Sequence, residues 1–186
     1  VDELLAISSH FYAEATACLK EYIGEADNTM IHGHGTTQGV FFPHAGLRMA
    51  EDTATLISPS CIEQFILKAN RRVCERFDSG VFVHFCGKHD ALLELLCREP
   101  LVKAIDLGNP EEYETRRILE LCAETDTVFY SRVAVEEGEC WDNYVRRLAG
   151  LVKETSARMI LRPLVFPETR EDCAKMLNLW HELTVS

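Results

Sequence analysis

Val81-Phe82-Val83-His84-Phe85-Cys86-Gly87, residues 81–87, is the stretch from which the fold can be read. Its apolar run is a predicted strand at 81–85 that stops at polar and metal-ligating residues, and an amphipathic helix over 90–97 follows it. A strand this continuously apolar is buried on both faces, as in a parallel sheet. Downstream the same rhythm repeats. Strands are predicted at 102–107, 127–133 and 159–164. The helix after the first of these is marked by Asn109-Pro110-Glu111-Glu112 as cap, first-turn proline and reciprocal Glu, and it continues through Ile118, Leu119, Leu121 and Cys122. The next helix spans 140–153, with Trp141, Tyr144, Val145, Leu148 and Val152 on one side. Thr169 with Asp172 opens the last helix, whose inner face is read as Cys173, Met176, Leu177 and Trp180.

Upstream of residue 81, a strand is predicted at 47–50. A helix then runs from Ser58 as N-cap and Pro59 in the first turn to about residue 77, burying Ile62, Phe65, Ile66, Ala69 and Val73. Residues 28–46 are rich in Gly and Pro and read as a long loop with a short extended piece at 40–42. An amphipathic helix is predicted over 3–23, with Ile7, Phe11, Ala15, Cys18, Leu19 and Tyr22 as its apolar face and Gly24 as its stop. Five successive strand–helix units imply parallel strands joined by right-handed crossovers. The fold class is α/β in a single domain over 1–186. Pattern alone leaves open a doubly wound sheet or part of a (β/α)8 barrel. No Gly-rich dinucleotide fingerprint and no phosphate loop follows any strand.

Composition narrows the function classes. Hydrophobic residues make up 47% of the 186 and charged residues 26%, the balance of a globular chain with a core. With 19 Lys and Arg against 30 Asp and Glu, the net charge is −11. Nucleic acid is therefore not an expected partner. The pairs Arg71 with Arg72, Arg116 with Arg117 and Arg146 with Arg147 read as solvated helix faces. No apolar run approaches the roughly 20 residues that span a bilayer, so no membrane partner is expected. The start at Val1, without a leader, suggests a processed or truncated terminus. Eight loosely spaced cysteines suit small apolar positions in a reduced, cytoplasmic protein better than a disulfide framework.

In parallel α/β folds reactive groups gather at the carboxyl ends of strands. That rule selects Glu51 and Asp52; His84, Cys86 and Gly87; Asp106, Gly108 and Asn109; Ser131 and Arg132; Arg162 and Pro163. His84 and Cys86 are two apart in a strand and share a face, so imidazole and thiolate can approach one zinc ion. A buried histidine beside a free cysteine has the same pattern. Cys140 is a candidate third ligand, or else an apolar residue in the first turn of its helix. His32, His34 and His44 lie in the Gly-rich loop, where His32 and His34 are ligands or simply face water. Asp52 and Asp106 are oxygen-ligand candidates, or cap helices, or pair with Arg. Arg48, Arg132 and Arg162 suit substrate carboxylates or phosphates, or close structural ion pairs. Cys86 as a nucleophile and the Glu51–Asp52 carboxylates as an acid–base pair are further readings.

Three motifs in order carry a resemblance. Residues 48–59, Arg48-Met49-Ala50-Glu51-Asp52-Thr53-Ala54-Thr55-Leu56-Ile57-Ser58-Pro59, resemble the segment after a middle barrel strand of the uroporphyrinogen decarboxylase and corrinoid-dependent methyltransferase superfamily. Residues 81–87 resemble the next strand in its methyltransferase form, and 104–111, Ala104-Ile105-Asp106-Leu107-Gly108-Asn109-Pro110-Glu111, the strand after that. The resemblance runs from about residue 36 onward. It implies a (β/α)8 barrel of which this chain supplies about the last five units, so that either the sequence is a fragment or another chain, a second copy in a homo-oligomer or a complementing half, completes the barrel. It implies a zinc site built on His84 and Cys86, with a further Cys expected after the final strand, where this chain has Arg162-Pro163-Leu164-Val165 instead. Asp52 stands where the decarboxylases carry a hydroxyl. The implied activities are zinc-assisted methyl transfer from a corrinoid carrier protein to a thiol, decarboxylation of a carboxylated tetrapyrrole with Asp52 as catalytic group, or binding without catalysis. The candidate substrate contacts are Arg48, Asp106, Asn109, Arg132 and Arg162, and the candidate catalytic residues are Asp52 and Cys86.

Overall fold

The computed structural model describes residues 1–24, 30–32, 40–42, 45–77 and 79–185, with backbone alone at 30–32, 40 and 41. His34, His44 and the side chain of His32 lie outside that set. Contacts divide the chain into two units, Val1–Gly108 and Asn109–Ser186.

The first unit opens with helix α1, Asp2–Ile23, which ends on Gly24 in the left-handed conformation at φ 71°, the backbone state glycine adopts without strain. Its extent matches the predicted helix; its orientation does not. Ser9, Ala13, Ala17 and Lys20 are buried, whereas Ile7, Phe11, Cys18, Leu19 and Tyr22 are exposed. The small residues let α1 approach helix α3, Leu67–Cys74, closely. The ammonium of Lys20 lies 5.9 Å from the centre of the Phe77 ring, a cation–π distance.

Strands β1, Met30–His32, and β2, Val40–Phe42, pair antiparallel. The extended piece at 40–42 was legible; its partner at 30–32 was not. Strand β3, Leu47–Ala50, leads into a 3-10 turn at Asp52–Leu56. The predicted helix over 58–77 is built in three pieces: α2, Pro59–Cys61, a π-helical turn at Ile62–Ile66, and α3. The Ser58 side chain accepts from the Cys61 N–H, as an N-cap should. Strand β4, Val81–Phe85, helix α4, Asp90–Arg98, and strand β5, Val102–Leu107, follow.

Strands β3, β4 and β5 are parallel neighbours, with β4 in the middle. All five residues of β4 are buried. Phe82 meets Phe42 edge to face at 5.7 Å, and Phe85, Ile105 and Leu107 complete this part of the core. Gly80, at φ 92°, precedes an irregularity in the β4–β5 register, and a Cβ there would stand 2.4 Å from the Leu101 carbonyl.

The second unit has a 3-10 turn at Pro110–Glu112, helix α5, Thr115–Glu124, strand β6, Val128–Ser131, helix α6, Trp141–Thr155, strand β7, Arg158–Leu161, and helix α7, Arg170–Thr184. Strands β6 and β7 are parallel. The helix predicted to start at Asn109-Pro110 begins instead at Thr115. Asn109 makes no cap bond; its amide donates to the Glu111 carboxylate at 3.1 Å. The buried side of α6 is Tyr144, Val145, Leu148, Ala149 and Val152, close to the predicted stripe. The Thr169 cap on the Asp172 N–H is present, but α7 buries only Met176, and Cys173 and Leu177 are exposed. In both units parallel strands alternate with helices, which makes the class α/β. Among the described residues no helix is long and apolar enough to cross a membrane.

Candidate metal centre

The carboxyl ends of β3, β4 and β5 stand side by side. Register pairs Ala50 with His84 and His84 with Asp106. The Glu51 N–H donates to the His84 carbonyl at 2.7 Å, which extends the β3–β4 ladder by one bond and sets Asp52 just above it. The Gly108 N–H donates to the Phe85 carbonyl at 2.9 Å and does the same on the other side. Three strand ends thus deliver Asp52, His84 with Cys86, and Asp106 to one place.

Within it the ligand-type atoms converge. The Cys86 Sγ is 3.3 Å from the His84 Nε2, as the two-residue spacing predicted. The Asp52 Oδ1 is 3.8 Å from the same nitrogen. One ligand atom each from Asp52, His84 and Cys86 lies within 4.8 Å of the others. In a tetrahedral zinc site with bond lengths near 2.0–2.3 Å, neighbouring N and S ligands are about 3.5 Å apart and N and O ligands about 3.4 Å. The two distances from the His84 Nε2 are near these values, and a nitrogen, a thiolate and a carboxylate are all donors zinc accepts. His84 is buried, while Asp52 and Cys86 are exposed, so the cluster opens to solvent on one side.

Further bonds hold the ligands in place. The Asp52 Oδ1 accepts the Cys86 N–H at 2.7 Å, and the Thr55 hydroxyl donates to the Asp52 carbonyl at 2.7 Å. The His84 Nδ1 is 2.8 Å from the Asp106 Oδ2, and both residues are buried. Gly108 makes room for the thiol, since a Cβ there would stand 2.3 Å from the Cys86 Sγ.

Arg48 lies on β3 beside α1, where the Tyr12 hydroxyl donates to its carbonyl at 2.8 Å. Glu51 is buried, and burial pushes its carboxyl up to about 7, with the Asn70 side chain opposing the shift and the Asp52 charge adding to it. Its neighbour Asp52 is exposed, so the two carboxylates differ in environment. Asn109, Arg132, Cys140 and Arg162 belong to the second unit. Cys140 is the exposed N-cap residue of α6. Arg132 follows β6, and the Arg162 guanidinium stacks 5.2 Å from the centre of the Tyr130 ring. One bonded histidine went unread in the sequence. His89 caps α4, its Nδ1 accepting the Leu92 N–H at 2.9 Å and its Nε2 donating to the Ile57 carbonyl at 3.2 Å. A histidine rather than Ser, Thr, Asp or Asn at an N-cap carries no strong sequence signal.

No protein-family model matches the chain, and no curated protein or solved structure is significantly similar to it.

Proposed function

We propose that the chain is a zinc-assisted methyltransferase of the uroporphyrinogen decarboxylase superfamily type, moving a methyl group from a corrinoid carrier to a thiol. The observation that carries the reading is the convergence of Asp52, His84 and Cys86 at the ends of adjacent parallel strands. The alternation of parallel strands and helices is compatible with the later part of a (β/α)8 barrel, and the barrel's carboxyl edge is where such enzymes keep their chemistry.

His84 and Cys86 would hold the metal from β4, and Asp52 would add a third, charged ligand from the turn after β3. Asp52 thus takes the part for which the resemblance led one to expect a second cysteine. Zinc held there would lower the pKa of a coordinated thiol, so that a nucleophile would exist at neutral pH. The protein's part is positional. The bond from the Cys86 N–H to the Asp52 carboxylate holds the two residues together, and the exposed side of the cluster would admit the acceptor thiol and its methyl donor.

The test is methyl transfer from methylcobalamin to a small thiol, followed by the loss of methyl–cobalt absorbance. The expected result is zinc-dependent turnover that Cys86→Ala abolishes. Turnover of a carboxylated tetrapyrrole by metal-free protein, with none from methylcobalamin, would replace this reading by decarboxylation through Asp52.

A further inference from the structure

Asp106 is buried, 2% exposed, and its Oδ2 is 2.8 Å from the His84 Nδ1. The two face each other across the β4–β5 register, so the contact is built into the sheet. A carboxylate accepts hydrogen bonds and donates none. Facing an ionised Asp106, the Nδ1 is the donor of this bond, and in a neutral imidazole the lone pair is then on Nε2. That nitrogen is the one 3.3 Å from the Cys86 Sγ and 3.8 Å from the Asp52 Oδ1.

We infer that Asp106 is a positioning residue: it fixes the Nδ1–H tautomer of His84 and so presents the Nε2 lone pair to a metal held with Cys86 and Asp52. The inference rests on the metal reading of the same site, and it deepens that reading by assigning the residue that prepares the histidine before any metal arrives. An Asp106 that acted as a ligand itself would have to leave His84. Its partner bond and its burial argue for support from behind. Carboxylates so placed raise the basicity of the histidine and hold its ring, and their loss typically weakens metal binding about 10–100-fold.

Long-range proton–nitrogen correlation NMR on the metal-free chain reads the tautomer directly, with His84 assigned by comparison with His84→Gln. The expected result is a protonated Nδ1 in the native chain. In Asp106→Asn, whose amide can donate to Nδ1, the Nε2–H form should gain population and zinc affinity should fall about 10–100-fold. Asp106→Glu should restore part of both. A native His84 protonated at Nε2 would overturn the inference. So would an Asp106→Asn variant, folded by circular dichroism, that keeps both tautomer and affinity. The native tautomer is readable even if no Asp106 variant folds. A native chain with protonated Nδ1 that takes up no zinc would support the tautomer assignment and overturn only the metal reading.

Discussion

A Cβ placed on Gly108 would meet the Cys86 Sγ at 2.3 Å, closer than real Cβ contacts come, and the Cys86 Cα at a tight 3.1 Å. The thiol sits against bare backbone because the residue beside it on the next strand end is glycine. Gly108→Ala is expected to destabilise the chain by about 1–3 kcal/mol, the usual cost of overpacking, and to push the thiol out of the cluster. The check is urea unfolding of the single variant and of Gly108→Ala combined with Cys86→Ala. Most of the cost should vanish in the double variant, where the clashing sulfur is gone; an unchanged cost would place the strain elsewhere. At this scale the sequence was most readable where spacing alone sufficed. His84 and Cys86 are two apart in a strand, and they meet. Asp52 and Asp106 were named as oxygen-ligand candidates but could not be assigned to the pair. Their nearness depends on register, Ala50 opposite His84 and His84 opposite Asp106, and register is a property of neighbouring strands, not of either alone.

Elements were legible in proportion to how strongly local chemistry marks their ends. Thr169 and Ser58 cap their helices as read, and strands β4 and β5 have the predicted bounds. His89 is the counterexample, a cap that bonds both the Leu92 N–H and the Ile57 carbonyl. His89→Ala is expected to cost about 1 kcal/mol of stability, near the loss of an ordinary cap, with zinc binding unchanged. Thermal unfolding and a zinc titration together check this; a loss of zinc would tie His89 to the centre. The faces of helices were the weakest reading. Periodicity located α1 but chose its large apolar residues as the buried side, and the chain buries Ser9, Ala13 and Ala17 instead. Close packing against α3 favours small side chains over hydrophobic ones, a choice that belongs to the helix pair. At Asn109-Pro110 the proline starts a 3-10 turn, and the true helix waits until Thr115. Asn-Pro-Glu-Glu suits either start, so the motif could not decide between them.

At the scale of the whole molecule, stability should carry the signature of Glu51. Burial raises its carboxyl from 4.5 to about 7. The folded chain therefore holds a proton that the unfolded chain releases at lower pH. The contribution is fully present below about 4.5 and is lost as pH rises through about 7, amounting to about 3 kcal/mol over that window. Subtracting the unfolding free energies of Glu51→Gln from those of the native chain at pH 5 and 7.5 isolates it, and the native chain should lose more on going to the higher pH. An equal change in both would show that Glu51 titrates normally. The central claim is that Asp52, His84 and Cys86 form one metal site. It is tested most directly by counting zinc in the purified chain after dialysis against metal-free buffer, beside a His84→Ala, Cys86→Ala double variant. One zinc per native chain and none in the folded double variant is the expected result. A native, folded chain without zinc, or a double variant that retains it, would contradict the claim.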